Sequence, residues 1–173
     1  MHKSLSLAAA LCLVAAAATA QGQKPLSPPA KAEASIAGKK LTVDYNAPSK
    51  RGRVIMGELV PYGKVWRTGA NSATTLSTEA DLTIGGLNVP AGTYTLFTIP
   101  GEKEWTLIVN KQTGQWGTRY DQSQDLGRVK MTVNPVKETV ETFVIDIKPG
   151  SGNEGVLRMR WENTEASVPL MVR

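Results

Sequence analysis

The chain is nearly empty of the side chains that do nucleophilic or acid–base work near neutral pH. Its 173 residues include one histidine and one cysteine, His2 and Cys12. Both fall in an N-terminal stretch with the layout of an export signal. Met1, His2 and Lys3 make a short positive start, and residues 5 to 18 are an almost unbroken run of apolar and small side chains. Ala18-Thr19-Ala20 is a small-x-small cleavage site before Gln21. The run is short for a membrane anchor and has no stop-transfer flank. Leu11 stands before Cys12, where a lipid-attachment signal calls for a small residue. The expectation is an exported protein, periplasmic or extracellular, with no transmembrane segment once residues 1–20 are removed. Residues 21–173 then lack imidazole and thiol altogether. Such a chain has no histidine base, no thiolate nucleophile, no disulfide and no cysteine metal ligand. Its stability must come from an apolar core and a backbone ladder.

Other absences narrow the function further. The net charge of +5 is spread thinly: Lys39, Lys40, Lys50, Arg51 and Arg53 are the densest basic group, with Arg128 and Lys130 beyond. Nucleic-acid binding would call for basic residues clustered on one surface, so no nucleic-acid partner is expected. There is no G-x-S-x-G elbow, and the glycine spacings lack the Lys and Ser or Thr of a phosphate loop. No stretch keeps a helical period for three turns.

What the chain does have is two-residue alternation punctuated by Gly, Pro and Asn. After a Pro- and Ala-rich lead-in over residues 21–35, read as flexible, Leu41, Val43 and Tyr45 alternate with Thr42, Asp44 and Asn46. "RVIMGEL" reads as a short strand. Segments 73–78, 81–84, 87–89 and 93–99 follow, with a Gly85-Gly86 reversal and a Pro90-Ala91-Gly92 corner. Trp105, Leu107 and Val109 share one side of the next strand. Further sets are Val129, Met131 and Val133; Phe143, Ile145 and Ile147; and Leu157, Met159 and Trp161. A last segment carries Pro169, which suggests an edge or a bulge. About eight to ten such strands without a crossover helix predict an all-β fold, an antiparallel β-sandwich over residues 36–173, with a closed β-barrel as the alternative.

At "GELVPYGKVWRTGANSATTL", Gly57 to Leu76, the chain resembles a bacterial family catalogued as domain of unknown function number 2911. "IGGLNVPAGTYTLFTIPG", "EWTLIVNK", "QWGTRYDQSQDLGRVKM", "ETFVIDI" and "WENTEASVPL" are similar to it in the same order, from about Ser49 to Leu170. The resemblance implies an exported all-β domain. It implies no activity, substrate or catalytic set, and marks Trp66, Arg67, Asn71, Trp116, Tyr120 and Glu162 only as motif positions.

Two readings of "WRTGAN" stay open. In one it is a shaped corner: Trp66 closes the core, Arg67 binds loop carbonyls and Asn71 caps a turn. In the other, Trp66 stacks on a ligand while Arg67 and Asn71 hold its carboxylate or hydroxyls. The connection from Asn110 to Gly127 offers Trp116, Arg119 and Tyr120 either as a sugar or peptide platform or as the plug of a long loop. Asp121, Ser123 and Asp125 have calcium-loop spacing, but Leu126 and Thr132 stand where Gly and Glu belong, which favours capping by Asp121. Glu58, Glu79, Asp81, Asp146 and Glu162 are the carboxylates available for a hydrolase pair. The expectation is a non-catalytic binding or interaction module at the cell envelope, for a glycan or peptide ligand or an envelope protein. Its candidate ligand-binding residues are Trp66, Arg67, Asn71, Trp116, Arg119, Tyr120 and Glu162. No catalytic residue, cofactor or metal is assigned. A carboxylate-based hydrolase and a purely structural envelope module are the alternatives.

Overall fold

Alternation does build the sheet. A computed structural model describes residues 25–173, so the expected export signal lies outside the described residues. Among the described residues nine strands form: β1 (Pro29–Ile36), β2 (Lys39–Asn46), β3 (Thr74–Thr78), β4 (Leu82–Ile84) and β5 (Leu87–Val89), then β6 (Gly92–Ile99), β7 (Glu104–Asn110), β8 (Asp125–Pro149) and β9 (Glu154–Val172). All pair antiparallel in one sheet of order β1-β2-β3-β6-β7-β8-β9-β4-β5, which does not close into a barrel. Among the described residues there is no α-helix, only a 3-10 turn at Gln122–Gln124. The sets picked out by period two, such as Leu41, Val43 and Tyr45 or Phe143, Ile145 and Ile147, are buried together in one core.

Two sequence expectations about strand number change. The segments expected to be four separate strands after Gly127 are two long ones, β8 and β9. Their pairing is interrupted between Pro135 and Val140 and again between Val140 and Val144. Opposite this irregularity Glu162 takes a φ of 54°. The extra residues bend both strands without breaking them, letting a single sheet fold over its own apolar face as a sandwich does.

The lead-in is also more ordered than expected. Residues 29–36 are a full strand paired with β2, from Pro29 opposite Asn46 to Ile36 opposite Lys39. Its inward residues are Ala32, Ala34 and Ile36. Alanine is too weak an apolar signal for that alternation to stand out beside two prolines. "RVIMGEL", in contrast, is a turn. Gly52 and Gly57 have φ of 74° and 88°, and Met56 makes only an isolated bridge to Val60. Pro169 lies inside β9 with β4 paired beyond it, and its carbonyl accepts from the Gly85 N–H at 2.9 Å.

The long connection between β7 and β8 covers the outer side of the sheet. Phe97 and Ile108, which face away from Leu96 and Leu107, are nonetheless buried. Tyr120 lies edge-on to Phe97, with ring centroids 4.8 Å apart. Asn110 Nδ2 donates to the Asp121 carbonyl and to Asp125 Oδ1, both at 2.9 Å, and so ties the loop to β7. This cover carries residues 116–120 to the end of the sheet where the Trp66 corner lies.

Candidate functional site

The "WRTGAN" corner extends the sheet past the start of β3. Trp66 and Thr98 exchange backbone hydrogen bonds of 2.7 and 3.0 Å at the end of β6. The chain then turns sharply: Thr68, Gly69 and Asn71 have φ of 56°, 150° and 56°. A β-branched residue at positive φ is costly and persists only where its surroundings over-determine it. Here they do. The Thr68 hydroxyl meets Thr98 Oγ1 at 3.1 Å, its carbonyl accepts from the Thr74 hydroxyl at 2.7 Å, and the Ala70 N–H donates to the Asn46 carbonyl at 3.2 Å. A Cβ on Gly69 would lie 2.9 Å from that same Asn46 oxygen. Gly69→Ala is therefore expected to destabilise the fold by about 1–3 kcal/mol, measured by urea denaturation. An unchanged midpoint would contradict this account of the corner.

The corner and the long loop meet. Ser72 bridges Trp116. The Gly117 N–H donates to the Asn71 carbonyl at 2.9 Å, and the Ala73 N–H to the Gln115 carbonyl at 3.2 Å. A Cβ on Gly117 would lie 2.8 Å from Arg67 Cδ, so the stem of Arg67 rests on a bare backbone.

A third wall comes from the loop between β2 and β3. Glu162 accepts from the Met56 N–H at 3.1 Å and the Ile55 N–H at 3.3 Å, and pairs with Lys50 Nζ at 3.3 Å. Burial alone would raise its pKa. The hydrogen bonds from Met56 and Ile55 and the Lys50 ammonium outweigh that, and hold the carboxyl below the ordinary glutamate range. Arg53 donates to the Lys50 and Ser49 carbonyls at 3.0 and 2.8 Å, and the Arg51 N–H to Glu141 Oε1 at 2.7 Å.

These three segments enclose a cleft of about 670 Å³. Trp66 and Trp161 make its floor, stacked at 5.9 Å and 18°, and behind them Trp66 meets the core residues Trp105 and Phe143 edge-on at 6.1 and 5.0 Å. Trp161 donates its indole N–H to the Glu141 carbonyl at 3.1 Å. Trp66 is half-buried, so the corner and ligand readings are not exclusive for it: one part of the ring packs on the core while the residue lines the cleft. Leu59, Val60 and Val65 form an apolar side, and Arg51, Arg53 and Arg67 supply cationic groups. None of the lining residues among those described is an Asp or Glu.

Of the seven residues singled out in the sequence, Trp66, Arg67, Asn71 and Tyr120 line the cleft. Asn71 makes a 3.5 Å contact from its side-chain nitrogen to the Ser27 carbonyl. Tyr120 presents its ring, and its hydroxyl is engaged, donating to Asp125 Oδ2 and accepting from Arg128, both at 2.7 Å. Burial, then the neighbouring Asp125, raises its phenol pKa. Trp116 sits outside the lining, 51% exposed. Arg119 is exposed outside it too, its N–H donating to the Trp116 carbonyl at 2.9 Å. Glu162 lies behind the wall as the support of loop 50–60. Asp146, the other carboxylate on the polar side of these strands, is bonded to Arg158 at 2.8 Å and to Arg160 at 3.1 Å.

Asp121 caps the 3-10 turn, accepting from the Ser123 hydroxyl and N–H, which lower its pKa. Asp125 is turned onto Asn110, Tyr120 and Arg128. Both carboxylates of the calcium-like spacing thus face protein donors.

Sequence reading missed Arg51, Arg53, Val65 and Trp161 as cleft residues. Arg51 and Arg53 flank Gly52 in "KRGRV", and a glycine between two arginines in a turn was the available signal; Trp161 looked like core, which it also is. A family model described as "Protein of unknown function (DUF2911)" matches residues 27–170. No curated protein and no solved structure matches the chain.

Proposed function

The chain belongs to the DUF2911 family, whose function is unknown, and from the site itself we propose that it is an exported binding module of the cell envelope whose cleft holds a glycan or a peptide. One observation carries this reading. Segments remote in sequence, around Arg51, Trp66 and Tyr120, converge on one concavity with an aromatic floor and arginines in its lining. Its size and its mix of apolar wall with a few polar groups are those of a small-ligand site. A carboxylate hydrolase would need two acids facing each other across the cleft, and the lining offers arginines there instead.

Val65 lines the cleft and is 40% exposed. Val65→Trp is therefore expected to obstruct the concavity while leaving the unfolding midpoint within experimental error. Calorimetric titration against glycan and peptide panels is expected to show saturable binding that Val65→Trp abolishes. Absence of saturable binding, or binding untouched by this substitution, would overturn the proposal.

A further inference from the structure

We propose, resting on that reading of the cleft, that its ligand is an apolar carboxylate: a carboxylate gripped by Arg67 and attached to an aliphatic or aromatic body. The charge argument comes first. Arg128, Arg158 and Arg160 each bind an acid, and Arg53 is committed to two backbone carbonyls. Arg67 is half-buried, lines the cleft, and makes no hydrogen bond or ion pair among the described residues. A guanidinium has five donors in a planar fork, and those of Arg67 stay open to the cleft. With Arg51 and Arg53 in the same lining and no Asp or Glu among its described residues, the cleft is cationic and suits an anion. The fork matches a carboxylate bidentately. The position of Arg67 is also defined from below, since its stem rests against Gly117, where no side chain fits.

The walls decide what the anion is attached to. Leu59, Val60 and Val65 line the cleft together with Trp66, and Phe97 contributes from β6. A sulfated or uronic-acid glycan brings a hydrated array of hydroxyls that these side chains cannot pair. A hydrocarbon body gains from burial against them. Two sources share this chemistry, a peptide C-terminus ending in an apolar residue and a free apolar acid.

The test is calorimetric titration of the protein with four probes: the tripeptide Ala-Ala-Phe, its C-terminal amide, 3-phenylpropionate and an oligogalacturonate. The tripeptide acid is expected to bind at least about tenfold more tightly than its amide. Arg67→Gln is expected to erase that preference with the unfolding midpoint retained, and Arg67→Lys to restore part of it, because a point charge replaces the fork. Tighter binding of the tripeptide than of 3-phenylpropionate assigns the peptide source, and equal binding the free acid; either supports the proposal. Equal affinity for acid and amide, with binding still blocked by Val65→Trp, overturns the carboxylate while the cleft stands as a binding site. Preference for the oligogalacturonate overturns the apolar body. No saturable binding by any probe or panel ligand overturns both readings.

Discussion

Trp161→Ala is expected to lower the unfolding free energy by about 3–5 kcal/mol, a large share of the roughly 5–15 kcal/mol that holds a domain folded. Trp161 is 2% exposed and is the back layer of the aromatic floor, stacked on Trp66 at 5.9 Å and packed on Phe143 at 5.8 Å. Removing the indole opens a cavity beneath Trp66 and deletes the hydrogen bond to the Glu141 carbonyl. The neighbours cannot easily collapse into the space, because Trp66 is fixed by its backbone pairing to Thr98. Trp161→Phe keeps most of the apolar volume and is expected to cost less than half as much. Urea denaturation of both variants checks this. A loss under about 1 kcal/mol for the alanine variant would show that Trp66 relaxes freely and that the floor is not a packed unit.

Glu162 gives the second large effect, and one with a pH signature. Its carboxylate satisfies the Ile55 and Met56 N–H groups and the Lys50 ammonium at a site where its side chain is 13% exposed. Glu162→Gln leaves at least one donor without its acceptor and Lys50 without a counter-charge. The expected cost at pH 7 is about 2–4 kcal/mol. Because the folded-state pKa is depressed, the charge contributes fully above the unfolded value, about pH 4.3. That contribution is lost as pH falls through the folded value. The stability gap between the native protein and Glu162→Gln is thus expected to be widest at neutral pH and to narrow at pH 3. Paired denaturation curves at the two pH values measure it, and a gap that stays constant would remove the carboxylate charge as the cause. Since this residue anchors the loop carrying Arg51 and Arg53, limited proteolysis within residues 51–59 is expected to quicken in the same variant.

Much of the strand pattern was legible because burial on one face of a sheet leaves a two-residue period in the side chains. Leu41, Val43 and Tyr45, or Leu157, Met159 and Trp161, need no tertiary information to be placed inward. The signal failed where its physical basis thins out. Ala32 and Ala34 are inward but nearly neutral in hydropathy, so β1 passed for a flexible lead-in. "RVIMGEL" has strand-forming residues, yet a distant carboxylate takes the N–H groups of Ile55 and Met56 that a ladder would use. The continuity of β8 and β9 was equally hidden, since a bulge and a turn draw on the same polar residues and differ only in whether the partner strand follows the bend.

For the site, local chemistry identified Trp66, Arg67, Asn71 and Tyr120, all of which line the cleft. It could not separate them from Trp116 and Arg119, which differ from them in orientation and not in kind. By itself the sequence determined the inward faces of most strands and which side chains are capable of recognition, because both follow from residue type and near-neighbour spacing. Only the tertiary structure decided that the Arg51 loop, the Trp66 corner and the Tyr120 loop share one cleft. It also decided that Glu162 stands behind the cleft as a support while Arg67 stands in it without a partner among the described residues. Those facts depend on hydrogen bonds between residues up to 107 positions apart, and no local period or composition records such a pairing.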